Sequence, residues 1–213
     1  MKKALSSTDL LAKKYELIEW DGEWFDNFDQ PEASGLWFVS GNSGNGKTSF
    51  LLELAKELSK FDRVLYNSLE EKDSKTMQKA WKRHQMSDCG RKVQLIWERR
   101  EELVKRLEKR QSPRFIIVDS FQYMKMTFDQ TIALKEQFPN KLFIYNSQME
   151  GNKPIGKSAV RVQYDADLKI WIEGFKAFSK GRYMGEYWED GLTIWEDGAN
   201  KYWRQSNNDN YER

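Results

Sequence analysis

Apolar residues along this chain fall into two rhythms. Short apolar runs at Leu36–Ser40, Arg63–Asn67, Val93–Trp97, Phe115–Asp119 and Lys141–Asn146 read as strands. Between them, apolar positions recur every three to four residues, as one buried face of a helix requires. In Thr48–Lys60 these positions are Leu51, Leu54, Ala55 and Leu58; in Ser74–Gln85 they are Met77, Ala80, Trp81 and His84. Glu98–Arg110 carries Leu103, Val104 and Leu107 on one face. Its i, i+4 pairs Glu101–Lys105 and Glu102–Arg106 suit a solvated surface. Alternating strands and helices predict an α/β fold with a mostly parallel sheet flanked by helices.

From about Ala166 the rhythm changes. Asp167–Glu173, Phe175–Ser179 and Glu186–Trp195 read as consecutive strands with glycine-containing turns, hence antiparallel hairpins on one edge of the sheet. The last dozen residues, ending QSNNDNYER, are polar and expected to fray. The expected organisation is an N-terminal extension (1–34), one α/β domain (35–198) and a polar tail (199–213). No internal repeat and no dividing linker interrupts it.

Composition narrows the class. At 213 residues the chain suits one domain. Its 32% charged residues make it polar, but aromatics at 14%, including nine Trp, exclude a disordered chain. Lys and Arg total 35 against 33 Asp and Glu, a net charge of +2. That excludes a histone-like polycation, so any nucleic-acid contact must come from a local patch. The one cysteine, Cys89, can form neither an internal disulfide nor a multi-cysteine metal site, and reads as a free thiol in the turn Met86–Arg91. The one histidine, His84, excludes a His-rich zinc site and reads as a satisfied helix residue. Charge breaks up the first twenty residues, and no apolar run nears the ~20 residues a bilayer span needs. These features predict a soluble, cytoplasmic protein with no membrane contact. Trp188, Trp195 and Trp203 are expected to pack against the hairpins, with base stacking as the alternative.

One segment carries chemistry outright. Gly41–Thr48 reads GNSGNGKT and matches G-x-x-x-x-G-K-[ST] at every fixed position. It follows the apolar run LWFV and opens the amphipathic helix TSFLLELAKEL. Glycines at 41, 44 and 46 let the backbone curl, so that N–H groups from Gly41, Asn42, Ser43, Gly44, Asn45, Gly46, Lys47, Thr48 and Ser49 can line an anion nest. The start of the following helix adds its positive dipole end. Lys47 then reaches the β- and γ-phosphates, and the Thr48 hydroxyl can ligate Mg²⁺. RFIIVDS puts Asp119 at the end of an apolar strand, where a carboxylate can hold Mg²⁺ beside those phosphates. The two motifs together predict binding of a nucleoside triphosphate.

Further segments appear in a set order: VLYNSLEEKDSKTMQKA, FIIVDSFQYM, LFIYNSQMEG, YDADLKIWIEG and FSKGRYMGE. In that order they resemble the ATPase domain of DnaB-type replicative helicases and its RecA and RadA relatives, across roughly Gly35–Glu186. The resemblance implies a RecA-like P-loop core, with ATP and Mg²⁺ as cofactors. It also implies Glu70 as the base orienting the attacking water, with Glu71 the alternative, and Gln148 as a sensor of the γ-phosphate or of nucleic acid. By the same resemblance, Lys180 and Arg182 stand on a hairpin that reaches the ATP of a neighbouring protomer, so the active form is a homo-oligomeric ring or filament. The segment MEGNKPIGKSA, low in apolar residues, would be a loop lining a nucleic-acid channel. Lys153, Lys157 and Arg161 would contact phosphates there. Only the first 34 residues precede this core, a size closer to small stand-alone RecA-core proteins such as phage recombination ATPases.

The leading expectation is an oligomeric Mg²⁺-dependent ATPase acting on single-stranded DNA in replication or recombination. A second is a KaiC-like regulatory ATPase that switches protein partners without nucleic acid. A third, a small-molecule phosphotransferase, lacks an Arg-rich lid to close over a second substrate.

Overall fold

The computed structural model describes the backbone of residues 4–211 and the side chains of residues 4–204. In chain order the helices are α1 (Ser7–Leu11), α2 (Gly22–Phe28), α3 (Lys47–Leu58), α4 (Lys75–Arg83), α5 (Arg100–Leu107), α6 (Phe121–Met124), α7 (Phe128–Gln137), α8 (Lys157–Asp165) and α9 (Glu196–Tyr211). The strands are β1 (Gly35–Ser40), β2 (Val64–Ser68), β3 (Val93–Ile96), β4 (Phe115–Asp119), β5 (Leu142–Ser147), β6 (Met149–Glu150), β7 (Lys153–Pro154), β8 (Leu168–Glu173), β9 (Lys176–Gly181) and β10 (Leu192–Thr193).

Eight strands form one sheet in the order β10-β9-β8-β1-β5-β4-β2-β3. The pairs β8–β1, β1–β5, β5–β4, β4–β2 and β2–β3 are parallel, and β9 and β10 complete one edge antiparallel. The central strands are buried along their length because helices cover both faces, and two apolar clusters form as a result. One lies under α3 and contains Trp37, Val39, Phe50, Leu51, Tyr66, Ile117 and Ile144; the other holds Phe38, Leu65, Val118, Leu134, Phe143 and Tyr145.

The N-terminal extension contributes to the first cluster. Ile18, Trp20 and Phe28 are buried in it. Trp20 meets Trp37 with centroids 5.7 Å apart, and Trp24 stacks on Phe50 at 5.9 Å. Such pairs add about 0.5–1.5 kcal/mol each beyond the area they bury. Among the described residues, no helix is long and apolar enough to cross a membrane.

Three local expectations are corrected. Of the stretch Glu186–Trp195, only Leu192–Thr193 is a strand. The preceding residues turn instead, with the Gly185 and Tyr187 N–H groups donating to the Asn27 and Asp26 carbonyls. The segment after Gln148 is not an open loop but a short hairpin, β6–β7, followed by α8. Residues 199–211 are not a separate tail: α9 runs through them, with Ala199 buried and Trp203 Nε1 donating to the Gly174 carbonyl at 3.2 Å, and the last two residues of the expected tail lie outside the described residues.

Candidate nucleotide site

Gly41–Gly46 join β1 to α3 across the ends of the parallel strands. A side chain at Gly41 would put its Cβ 2.2 Å from the Ile172 carbonyl of β8, so only glycine fits there. Gly46 adopts the left-handed region (φ 96°) to turn the chain into α3. Asn45 staples the loop. Its Oδ1 accepts the Gly174 N–H at 2.8 Å, and its Nδ2 donates to the Asn42 and Ser43 carbonyls, each at 3.3 Å. Lys47 Nζ donates to the Asn42 carbonyl at 2.9 Å. Burial holds the Lys47 ammonium below the usual lysine range, and Asp119 and Glu70 partly oppose that shift.

Strand register sets the acidic side. Ser68 of β2 lies beside Asp119 of β4, and Asp119 lies beside Asn146 of β5. Asp119 is only 6% exposed. Its Oδ2 accepts from Tyr66 Oη at 2.9 Å and its Oδ1 from Asn146 Nδ2 at 2.6 Å. Burial raises the Asp119 carboxyl above the usual range; the bonds from Asn146 and Tyr66 oppose this, while Glu70 and Glu71 reinforce it. The Asp119 carbonyl also accepts the Leu69 and Glu70 N–H groups at 2.7 and 3.3 Å, fixing the turn that carries Glu70. Gln148 Nε2 donates to Glu70 Oε2 at 3.2 Å across the mouth, whereas Glu71 Oε2 accepts from Thr76 Oγ1 at 2.6 Å. Gln122 anchors Gln148: its Oε1 accepts the Gln148 N–H at 3.2 Å, and its Nε2 donates to the Ile155 carbonyl beyond the hairpin at 3.0 Å.

The fit to Mg²⁺ rests on an orphaned atom. Asn146 Oδ1 is buried beside Asp119 without a hydrogen-bond partner, an acceptor that a donor or cation could satisfy. Among the described residues, no group of three His, Cys, Asp or Glu side chains could hold a metal by itself. Mg²⁺ is commonly held by one or two protein groups together with phosphates and water.

These groups line one cleft of about 1070 Å³. It brings together Ser43, Gly44, Gly46, Lys47, Thr48, Ser49, Glu70, Glu71, Asp119 and Gln148 of the expected set. Lys180 and Arg182 stand elsewhere. They lie at the opposite end of β9, where Arg182 Nη1 donates to Asp167 Oδ1 at 2.8 Å and Lys180 Nζ sits 5.8 Å from the Trp171 ring centroid. The three residues expected on one loop are also split. Lys153 is on the β6–β7 hairpin, while Lys157 and Arg161 occupy consecutive turns of α8, with the Arg161 guanidinium 4.1 Å over the Phe128 ring.

Several residues in and behind the cleft wall were not singled out by the sequence. Tyr66 and Asn146 reach Asp119 only through strand pairing. Arg83 Nη2 donates to Ser49 Oγ at 3.2 Å, and His84 Nδ1 lies 2.6 Å from Glu53 Oε1 on the same wall. The pattern marked His84 as buried but could not name its partner. Phe175, Ile194 and Trp195 form a further wall that closes only when β10 and α9 fold back.

No protein-family model and no curated protein matches the sequence. Solved structures do match. The flagellar accessory protein FlaH from Methanocaldococcus jannaschii aligns with TM-score 0.56 at 16% identity, over 84% of this chain and 92% of that one. A KaiC-like protein from Pyrococcus horikoshii OT3 aligns with TM-score 0.55 at 11% identity, over 76% of this chain and 85% of that one. The chain shares the fold of these two proteins, a RecA-like α/β fold.

Proposed function

We propose that the chain is a Mg²⁺-dependent ATPase. The observation that carries this is the Glu70–Gln148 bond across the mouth of the P-loop cleft. It supplies a carboxylate and an amide where a γ-phosphate and its attacking water would lie. Lys47 and the loop N–H groups would hold the β- and γ-phosphates, while Thr48 and Asp119 would hold Mg²⁺, which neutralises phosphate charge when bound. Glu70 orients and deprotonates the water, and Gln148 reads whether the γ-phosphate is present.

The partner in this reading is single-stranded DNA. Gln148 is tied through Gln122 to the hairpin that presents Lys153, so loss of the γ-phosphate bears directly on the strand-contacting segment. Arg182 serves a neighbour's nucleotide in an oligomer, since it stands at the far end of the sheet from its own P-loop. Replication or recombination on a phage or mobile element is the setting of this reading. A second reading, a KaiC-like partner switch, is prompted by the likeness to a KaiC-like protein. Phosphate release with and without single-stranded DNA separates the two readings. Stimulation by DNA supports the first, and a rate indifferent to DNA with no DNA binding at low salt favours the second.

A further inference from the structure

The wall formed by Phe175, Ile194 and Trp195 has no part in phosphate chemistry, yet it is built with care. Phe175 holds φ at 60°, a left-handed conformation that is costly for a bulky side chain. Several bonds over-determine that strained turn. The Gly174 N–H donates to Asn45 Oδ1 of the P-loop, the Phe175 carbonyl accepts the Ile194 N–H at 2.8 Å, and the Gly174 carbonyl accepts Trp203 Nε1. Gly174 itself lies so close to Tyr202 that an added Cβ would sit 2.3 Å from the ring. The Phe175 ring approaches Gly46, where a Cβ would lie 3.2 Å from it, and meets Trp195 edge-on with centroids 5.0 Å apart. Despite that contact Trp195 remains 54% exposed, facing the cleft.

Topology fixes which end of a nucleotide meets this wall. The γ-phosphate groups stand on β4, after β2 and after β5, on one side of β1. The aromatic wall stands in the β8–β9 turn and just after β10, on the other side. A triphosphate seated on the loop with its γ end at Glu70 and Asp119 therefore sends its nucleoside toward Phe175 and Trp195. We propose that Trp195 and Phe175 form a stacking site for the nucleobase, supplied by the C-terminal segment and latched onto the P-loop through Asn45. The inference rests on the nucleotide reading and adds the residues that take the base. Stacking on an aromatic ring contributes about 1–3 kcal/mol per base, or roughly 5- to 150-fold in affinity.

The experiment is calorimetric titration with ATP and, separately, inorganic tripolyphosphate, which carries the same phosphates without a base. Trp195→Ala should weaken ATP about tenfold or more and leave tripolyphosphate unchanged, and Trp195→Phe should restore most of the loss. Phe175→Gly is a second variant that keeps the turn, because glycine favours its φ, and it should show the same selective loss. Equal losses for both ligands, or no loss for either, would overturn the base site while leaving the P-loop reading intact. Wild-type protein that binds neither ligand would overturn both.

Discussion

Two adjacent carboxylates follow β2, and replacing them one at a time separates their roles. In Glu70→Gln the side chain keeps its length and can still accept from Gln148, now 3.2 Å away. Nucleotide affinity should therefore stay nearly unchanged. Turnover should fall by about 10²–10⁴, the contribution of a positioned general base. At 1.36 kcal/mol per decade, that is about 2.7–5.4 kcal/mol of transition-state stabilisation. Glu71 instead accepts from Thr76 at 2.6 Å. Its loss in Glu71→Gln weakens one neutral-donor bond, worth about 1 kcal/mol to the local turn, and turnover should stay within a few-fold of wild type. Phosphate release at saturating Mg·ATP gives the rates, and calorimetry gives the affinities. Collapse of turnover in Glu71→Gln with Glu70→Gln intact would refute the assignment of the base.

Other expectations follow from neighbouring contacts. Asp119→Asn removes a buried charge whose carboxyl is raised by desolvation. Without ligands at pH 7 the variant should melt higher than wild type, by about 2–4 °C per kcal/mol relieved in a chain of this size. Because the native carboxyl titrates above the unfolded one, wild type loses stability as pH rises through the carboxylate range. The gap should therefore close in thermal melts below about pH 4, the range of an ordinary Asp, and a gap that widens toward acid would oppose the desolvation account. Arg182→Ala mixed with Lys47→Ala should recover part of the lost ATPase activity, because some junctions pair an intact site with an intact arginine. No recovery in demonstrated mixed assemblies would leave Arg182 as the partner of Asp167 alone. If Lys153, Lys157 and Arg161 neutralise about three phosphates, fluorescence anisotropy should give a slope near −2 in log K against log salt. Lys153→Ala with Lys157→Ala should flatten it.

The sequence pattern carried the parallel core and the phosphate loop because both depend on local order. A strand, a glycine-rich turn and an amphipathic helix follow one another directly, and Asp119 ends its own apolar run. What surrounds Asp119 was hidden because Tyr66 and Asn146 come from other strands and meet it only through register. The same holds for Glu70 against Glu71. Sequence makes them equivalent, whereas the Thr76 hydroxyl draws one aside and Gln148 meets the other. Low apolar content made the stretch after Gln148 read as a loop, but Gln122 pins its two ends and α8 begins at Lys157. Trp195 was expected to pack a hairpin; it does touch Phe175, and only the fold-back of α9 turns its exposed face to the cleft. Arg182 could not be placed without knowing that β9 runs antiparallel and carries it away from its own P-loop.

The account stands most directly on hydrolysis at this P-loop. Phosphate release from Mg·ATP by wild type and by Lys47→Ala, measured side by side with calorimetric ATP binding, tests it. Wild type should bind and hydrolyse ATP, and the variant should lose both tight binding and turnover, because it lacks the charge that meets the β- and γ-phosphates. A variant that binds and turns over ATP as wild type does, or a wild type that binds no nucleotide, would contradict it.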